Sequence, residues 1–179
     1  MKSVMLSIQP KWVEKIVKGE KTIEVRKSAP KEVPFKAYIY ETKGATEMPW
    51  VDEDGHFIYK GRGQVIGEFV CDKVEKFTVG GLLSDDIEKP ACLSYTEMIN
   101  YFYKPEELDG NTAKFGYAWH ISDLKIYDKP KPIMQFYKPC PIEIKNCPGC
   151  EFYSTNTGCC MNNIDRAPQS WCYVESLGE

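Results

Sequence analysis

The stretch that most constrains this chain is Gly19-Glu20-Lys21-Thr22-Ile23-Glu24-Val25-Arg26. Before it, Pro10 opens a short helix in which Trp12, Val13, Ile16 and Val17 form an apolar stripe, with Lys11, Lys15 and Lys18 off it. Gly19 stops that helix, because glycine takes the left-handed conformation with which helices commonly end. The residues after it alternate, so the spacing predicts a strand with Ile23 and Val25 on one face and Thr22, Glu24 and Arg26 on the other. Lys21 stands at the mouth of the strand. An ammonium, a carboxylate and a guanidinium are thereby brought toward one small area, in a pattern that also suits a solvated ion pair.

The rest of the first 135 or so residues reads as short strands and one more helix. Val4 to Ile8 and Lys36 to Tyr40 alternate as strands, and Gln64 to Phe77 is the longest strand candidate, with Gly67 as a bulge or point of close approach. Glu68 is the acidic residue in its apolar centre; it faces either inward toward Lys21 or out to solvent. Glu41 to Gly63 is a long polar insertion, and Trp50, Phe57 and Tyr59 within it either stack on a base or pack the insertion onto the core. Ser94-Tyr95-Thr96-Glu97 is a capping box that starts a helix with Met98, Ile99 and Phe102 on its core face. Lys114 to Ile121 is strand-like, with Trp119 and His120 on opposite faces, and Pro130 and Pro132 follow it.

Three of these segments occur in the order found in a known family. Gly19-x-Lys21-x-x-Glu24-x-Arg26 after Pro10 and a short helix, Val65-Ile66-Gly67-Glu68-Phe69, and Tyr117-Ala118-Trp119-His120-Ile121 leading into Leu124 to Tyr127 together resemble the ASCH domains, which are similar to the PUA fold. The resemblance implies an α+β domain over residues 1–135: a mostly antiparallel β-barrel with short helices, and a cleft lined by Lys21, Thr22, Glu24 and Arg26 that accepts RNA or a modified nucleoside. It also implies a rival activity. Some small members of the family are amidohydrolases acting on N4-acetylcytidine with a lysine, a threonine nucleophile and a glutamate on a neighbouring strand. Lys21 matches the lysine and Glu68 is the candidate for the strand glutamate. Glu24 stands where the threonine would be, with Thr22 two residues away. Catalysis would then fall to Lys21, Glu24 and Glu68, with Glu24 a base for water. Ribonuclease activity is the third implication, to which no pair of residues points.

Charge agrees with an anionic or polar ligand on one face. The chain carries a formal charge of −3, yet residues 1–43 hold ten Lys or Arg against five Glu, a local +5 that leaves −8 for the remainder. No apolar run approaches the roughly 20 residues of a membrane span, and the N-terminus lacks the apolar core of a signal peptide, so a cytoplasmic protein without a membrane partner is expected.

Residues 136–179 read as a separate module. Of eight cysteines, six lie in the last forty residues, Cys140, Cys147, Cys150, Cys159, Cys160 and Cys172. A reducing compartment disfavours disulfides, and Cys147-Pro148-Gly149-Cys150 has the spacing of a zinc knuckle. A structural Zn2+ held by Cys147, Cys150, Cys159 and Cys172, with Cys160 as the alternate to Cys159, is the expectation, and such a tail also offers a surface for a protein partner. Cys71 and Cys92 read as ordinary thiols, and Trp171 as the anchor of the tail.

Overall fold

The computed structural model describes residues 1–43, 50–51, 57–58, 63–79, 85–107, 113–139 and 163–176. In chain order the elements are β1 (Lys2–Ile8), α1 (Pro10–Val17), β2 (Ile23–Arg26), β3 (Phe35–Glu41), β4 (Trp50–Val51), β5 (Phe57–Ile58), β6 (Gln64–Cys71), β7 (Val74–Val79), α2 (Asp85–Ala91), α3 (Tyr95–Phe102), β8 (Lys114–His120), β9 (Ser122–Lys131) and β10 (Trp171–Val174). The fold is α+β, with mostly antiparallel sheets and short helices. None of the described helices is long and apolar enough to cross a membrane. The chain forms two compact units: Met1–Pro10, Lys36–Glu68 and Ile126–Glu179 make the first, Lys11–Phe35 and Phe69–Lys125 the second.

The first unit is built on a five-stranded sheet in the order β10-β1-β3-β6-β9. β1 and β3 are buried along most of their length, so both faces of each strand are covered. Tyr38, fully buried, meets Phe136 edge-on with ring centroids 4.9 Å apart, within a cluster that includes Met5, Val65, Ile164 and Val174. The last strand, β10, pairs antiparallel with β1 from Ser3 opposite Val174 to Leu6 opposite Trp171. Ser7 ties the approach to this strand, its Oγ donating to the Pro168 carbonyl at 2.7 Å. Trp171 is half-buried and stands edge-on to Tyr173. β4 and β5 pair as a short antiparallel ladder. The stacking or packing expected of Trp50, Phe57 and Tyr59 falls outside the residues whose side chains are described.

The second unit carries a three-stranded sheet in the order β2-β8-β7, antiparallel throughout. Ile23, Val25, Ile87, Ala91, Met98, Phe102 and Ala118 are among the side chains of its core. α3 begins as the sequence indicates: the Ser94 side chain accepts from the Glu97 N–H and the Glu97 carboxylate accepts from the Ser94 N–H.

The expected strand from Gln64 to Phe77 is two strands. It breaks at Asp72-Lys73, where the Lys73 carbonyl accepts from both Cys71 Sγ at 3.2 Å and the His120 N–H at 3.0 Å, and the two halves enter different sheets. The polar pair Asp72-Lys73 is the mark of this corner in the sequence, and strand-like residues on both sides of it conceal the break. α2 has no counterpart in the sequence reading; Pro90 lies inside it, next to its last residue. On α1 the buried positions are Val13 and Ile16, while Trp12 is half-exposed and Val17 exposed. Cys71 is a core thiol, which burial pushes up to about 12.

Candidate functional site

The turn that leads into β2 is fixed by a complete C-terminal helix cap. Gly19 has a φ of 73°, its N–H donates to the Ile16 carbonyl, and the Glu20 N–H donates back to the Lys15 carbonyl, each at 2.9 Å. This is the paired closure of a Schellman motif, which needs the left-handed residue that glycine supplies without strain. The chain is then clamped on both sides of Thr22: its N–H donates to the Pro90 carbonyl and its carbonyl accepts from Ile121, both at 2.9 Å. β2 runs antiparallel to β8 with Glu24 opposite Trp119 and Arg26 opposite Tyr117.

Every residue of β2 is buried, so the strand has no wet face. Lys21, Glu24 and Arg26 are 2%, 5% and 7% exposed, and they form one cluster. Glu24 lies between the two cations, with Oε1 2.9 Å from Arg26 Nη2 and Oε2 3.3 Å from Lys21 Nζ. Lys21 Nζ also donates to the Ala91 carbonyl at 2.6 Å, so the ammonium sits on the C-terminal end of α2, where the backbone partial charge is negative. Thr22 is exposed and precedes the strand, whereas Glu24 is buried within it.

Formally the cluster carries two positive charges and one negative. Its hydrogen bonding is also incomplete. An ammonium has three donors, and among the described residues Lys21 Nζ has Ala91 O, Glu24 and, 5.3 Å away, the Trp12 ring for company. Glu24 Oε2, itself buried, accepts no hydrogen bond from the described residues. A buried donor and a buried acceptor therefore stand side by side, each with capacity left for a ligand.

Two aromatic residues adjoin the cluster, Trp12, which is half-exposed, and Tyr101, which is exposed, and sequence reasoning did not assign either to it. Trp12 faces Lys21, and Lys11 Nζ lies 4.2 Å from the same ring. Tyr101 on α3 lies near enough to both charges for them to act on its phenol: burial pushes it above the ordinary value, Arg26 opposes the rise and Glu24 adds to it. Lys11 and Glu97 connect α1 to α3 through an exposed ion pair of 3.7 Å. The available signal was positional: Tyr101 follows Glu97 by four residues, one turn along the same face of α3.

Glu68 belongs to the other unit. There its Oε1 is 3.1 Å from Lys36 Nζ and its Oε2 accepts from the Tyr127 hydroxyl at 2.5 Å, a phenol that burial and this hydrogen bond push upward. Glu68 is thus partly buried in a side-chain network of its own sheet. His120 contacts Glu75 at 2.5 Å, and Lys73 shares the same carboxylate at 2.9 Å.

Of the expected zinc ligands, Cys147, Cys150, Cys159 and Cys160 lie outside the described residues. Cys172 lies on β10 opposite Met5 and packs against the core of the first unit. Among the described residues no group of three or more His, Cys, Asp or Glu side chains is placed to hold a metal ion.

Comparison with known proteins yields one family and a set of similar structures. The sequence matches the model of the ASCH domain over residues 6–109. No curated protein matches it. Among solved structures it is similar to the ASCH protein of Zymomonas mobilis, at 22% identity and a TM-score of 0.52, over 75% of this chain and 76% of that one. A tyrosine-to-phenylalanine mutant of that protein matches at 20% identity and a TM-score of 0.50, over 75% of this chain and 78% of that one. A serine-to-alanine mutant matches at 20% and 0.50, over 73% and 74%. At such identities the likeness is one of fold.

Proposed function

The chain belongs to the ASCH domain family, and on that premise we propose that it binds a nucleoside, free or within RNA, through the base edge, using Lys21 and Glu24 with Arg26 as their support. The observation that carries this reading is the buried donor and acceptor standing side by side, Lys21 Nζ and Glu24 Oε2, each with hydrogen-bonding capacity to spare. A cytosine-type edge presents the complement: the ring nitrogen or carbonyl accepts from the ammonium, and the exocyclic amine donates to the carboxylate. Trp12 supplies a ring on which the base stacks. Exposed Thr22 borders the site at most.

Binding is preferred to amide hydrolysis because the partners of Lys21 among the described residues include no hydroxyl or thiol nucleophile. The test is calorimetric titration with cytidine and N4-acetylcytidine, followed by chromatography of the acetylated ligand. Lys21→Met is expected to weaken binding by tenfold or more, the value of about 1.5–3 kcal/mol for a hydrogen bond to a charged group. Release of cytidine that depends on Lys21 and Glu24 would instead assign the amidohydrolase activity. An affinity unchanged in Lys21→Met would remove the reading.

The cysteine-rich tail is proposed to hold a structural Zn2+ through Cys147, Cys150 and Cys159. Cys160 suits the fourth position better than Cys172, whose side chain packs on the core of the first unit. Elemental analysis of purified protein is expected to give one zinc per chain, retained in Cys172→Ala; zinc-free protein with all thiols titratable would contradict it.

A further inference from the structure

Lys27 directly follows Arg26 at the end of β2 and is exposed. Its ammonium lies 5.1 Å from the centroid of the Tyr101 ring and 5.9 Å from that of Phe102, and it makes no ion pair among the described residues. Other lysines of the same unit are neutralised where they stand: Lys11 by Glu97, Lys15 by Glu20, Lys18 by Glu14 and Lys114 by Glu107. Lys27 is instead held by the negative face of an aromatic ring, which orients a cation without cancelling its charge. The phenol of the same tyrosine is influenced by Arg26 and Glu24 of the buried cluster, whose formal charge is +1.

An exposed tyrosine, an unneutralised ammonium set over its ring and a net-positive cluster thus adjoin one another, with Lys27 three residues past Glu24. From this juxtaposition we infer that Lys27 and Tyr101 form a phosphate subsite, so that the ligand of the cluster is a phosphorylated nucleoside rather than a bare one. The inference rests on the base-edge reading for the position of the nucleoside, but the phosphate chemistry is its own. The phosphate oxygens accept from the Lys27 ammonium and the Tyr101 hydroxyl, and their charge offsets the excess of the cluster. A free nucleotide and a strand of RNA present the same group.

Titrations with cytidine, cytidine 5′-monophosphate, ribose 5-phosphate and a short single-stranded oligoribonucleotide test the subsite. The monophosphate or the oligoribonucleotide is expected to bind at least tenfold more tightly than cytidine, and whichever does so identifies the source of the phosphate. In Lys27→Ala that ratio is expected to fall to near one. Tyr101→Phe, which keeps the ring under Lys27 and removes the hydroxyl, is expected to lower it severalfold. Ribose 5-phosphate has no base and separates the two readings: its binding, lost in Lys27→Ala, would support the subsite even if cytidine does not bind. Equal affinity for cytidine and both phosphorylated ligands, or a ribose 5-phosphate affinity unmoved by Lys27→Ala, would overturn it.

Discussion

Glu24→Ala is expected to lower the free energy of unfolding by about 3–5 kcal/mol, the range found when one partner of a buried ion pair is removed. The carboxylate contacts both cations of the cluster, at 2.9 Å and 3.3 Å, and all three groups are nearly inaccessible to water. Without it, Lys21 and Arg26 would face each other in a low-dielectric interior as like charges, and the Ala91 carbonyl would be left as the hydrogen-bond partner of the ammonium. Glu24→Gln keeps the shape and one acceptor, so its loss is expected to be smaller. Urea denaturation of the two variants measures both values. A cost below about 1 kcal/mol for the alanine variant would mean that the cations reach solvent and that the cluster is no buried site.

Gly116→Ala is expected to cost about 1–3 kcal/mol through overpacking. Gly116 lies opposite Phe77 in the β7-β8 ladder, and a methyl group there would stand 2.8 Å from Phe102 Cζ and closer still to Phe77 Cζ. The Phe77 ring crosses the glycine to meet Phe102 edge-on, with centroids 6.2 Å apart, and so covers the gap that the missing side chain leaves. Phe77 is half-buried and has room to yield, whereas Phe102 belongs to the core. In a Phe77→Ala background the added methyl should therefore cost less, and a double-mutant cycle measured by denaturation reads the coupling directly. An additive result would mean that the ring does not press on Gly116.

The helix stop at Gly19, the capping box at Ser94 and the strand pattern of β2 and β8 were legible because each is a local rule, written in residues a few positions apart. The family resemblance rested on the same local patterns, and the match over residues 6–109 bears out the family on the first two of its three segments; Tyr117 to Tyr127 lies beyond the match. Long-range events were not legible. Burial of all of β2 depends on β8 and α2, which come far later in the chain, and alternation alone describes a strand with one face in water. The Ala91 carbonyl leaves no trace in the side-chain sequence, since any residue at the end of α2 offers one. Trp12 read as part of an apolar helical stripe and Tyr101 carried no signal of its own, and only the packing of α1 and α3 gives them their neighbours. The corner at Asp72-Lys73 likewise appears once two sheets claim the two halves of one strand-like stretch.

The claim that Lys21 and Glu24 read a base edge is tested most directly by one comparison: the affinities of the protein for cytidine and for its analogue lacking the exocyclic amine. The account predicts that the analogue binds about tenfold more weakly, because Glu24 Oε2 loses its donor, and that Glu24→Gln narrows the difference. Equal affinities for the two ligands would contradict it.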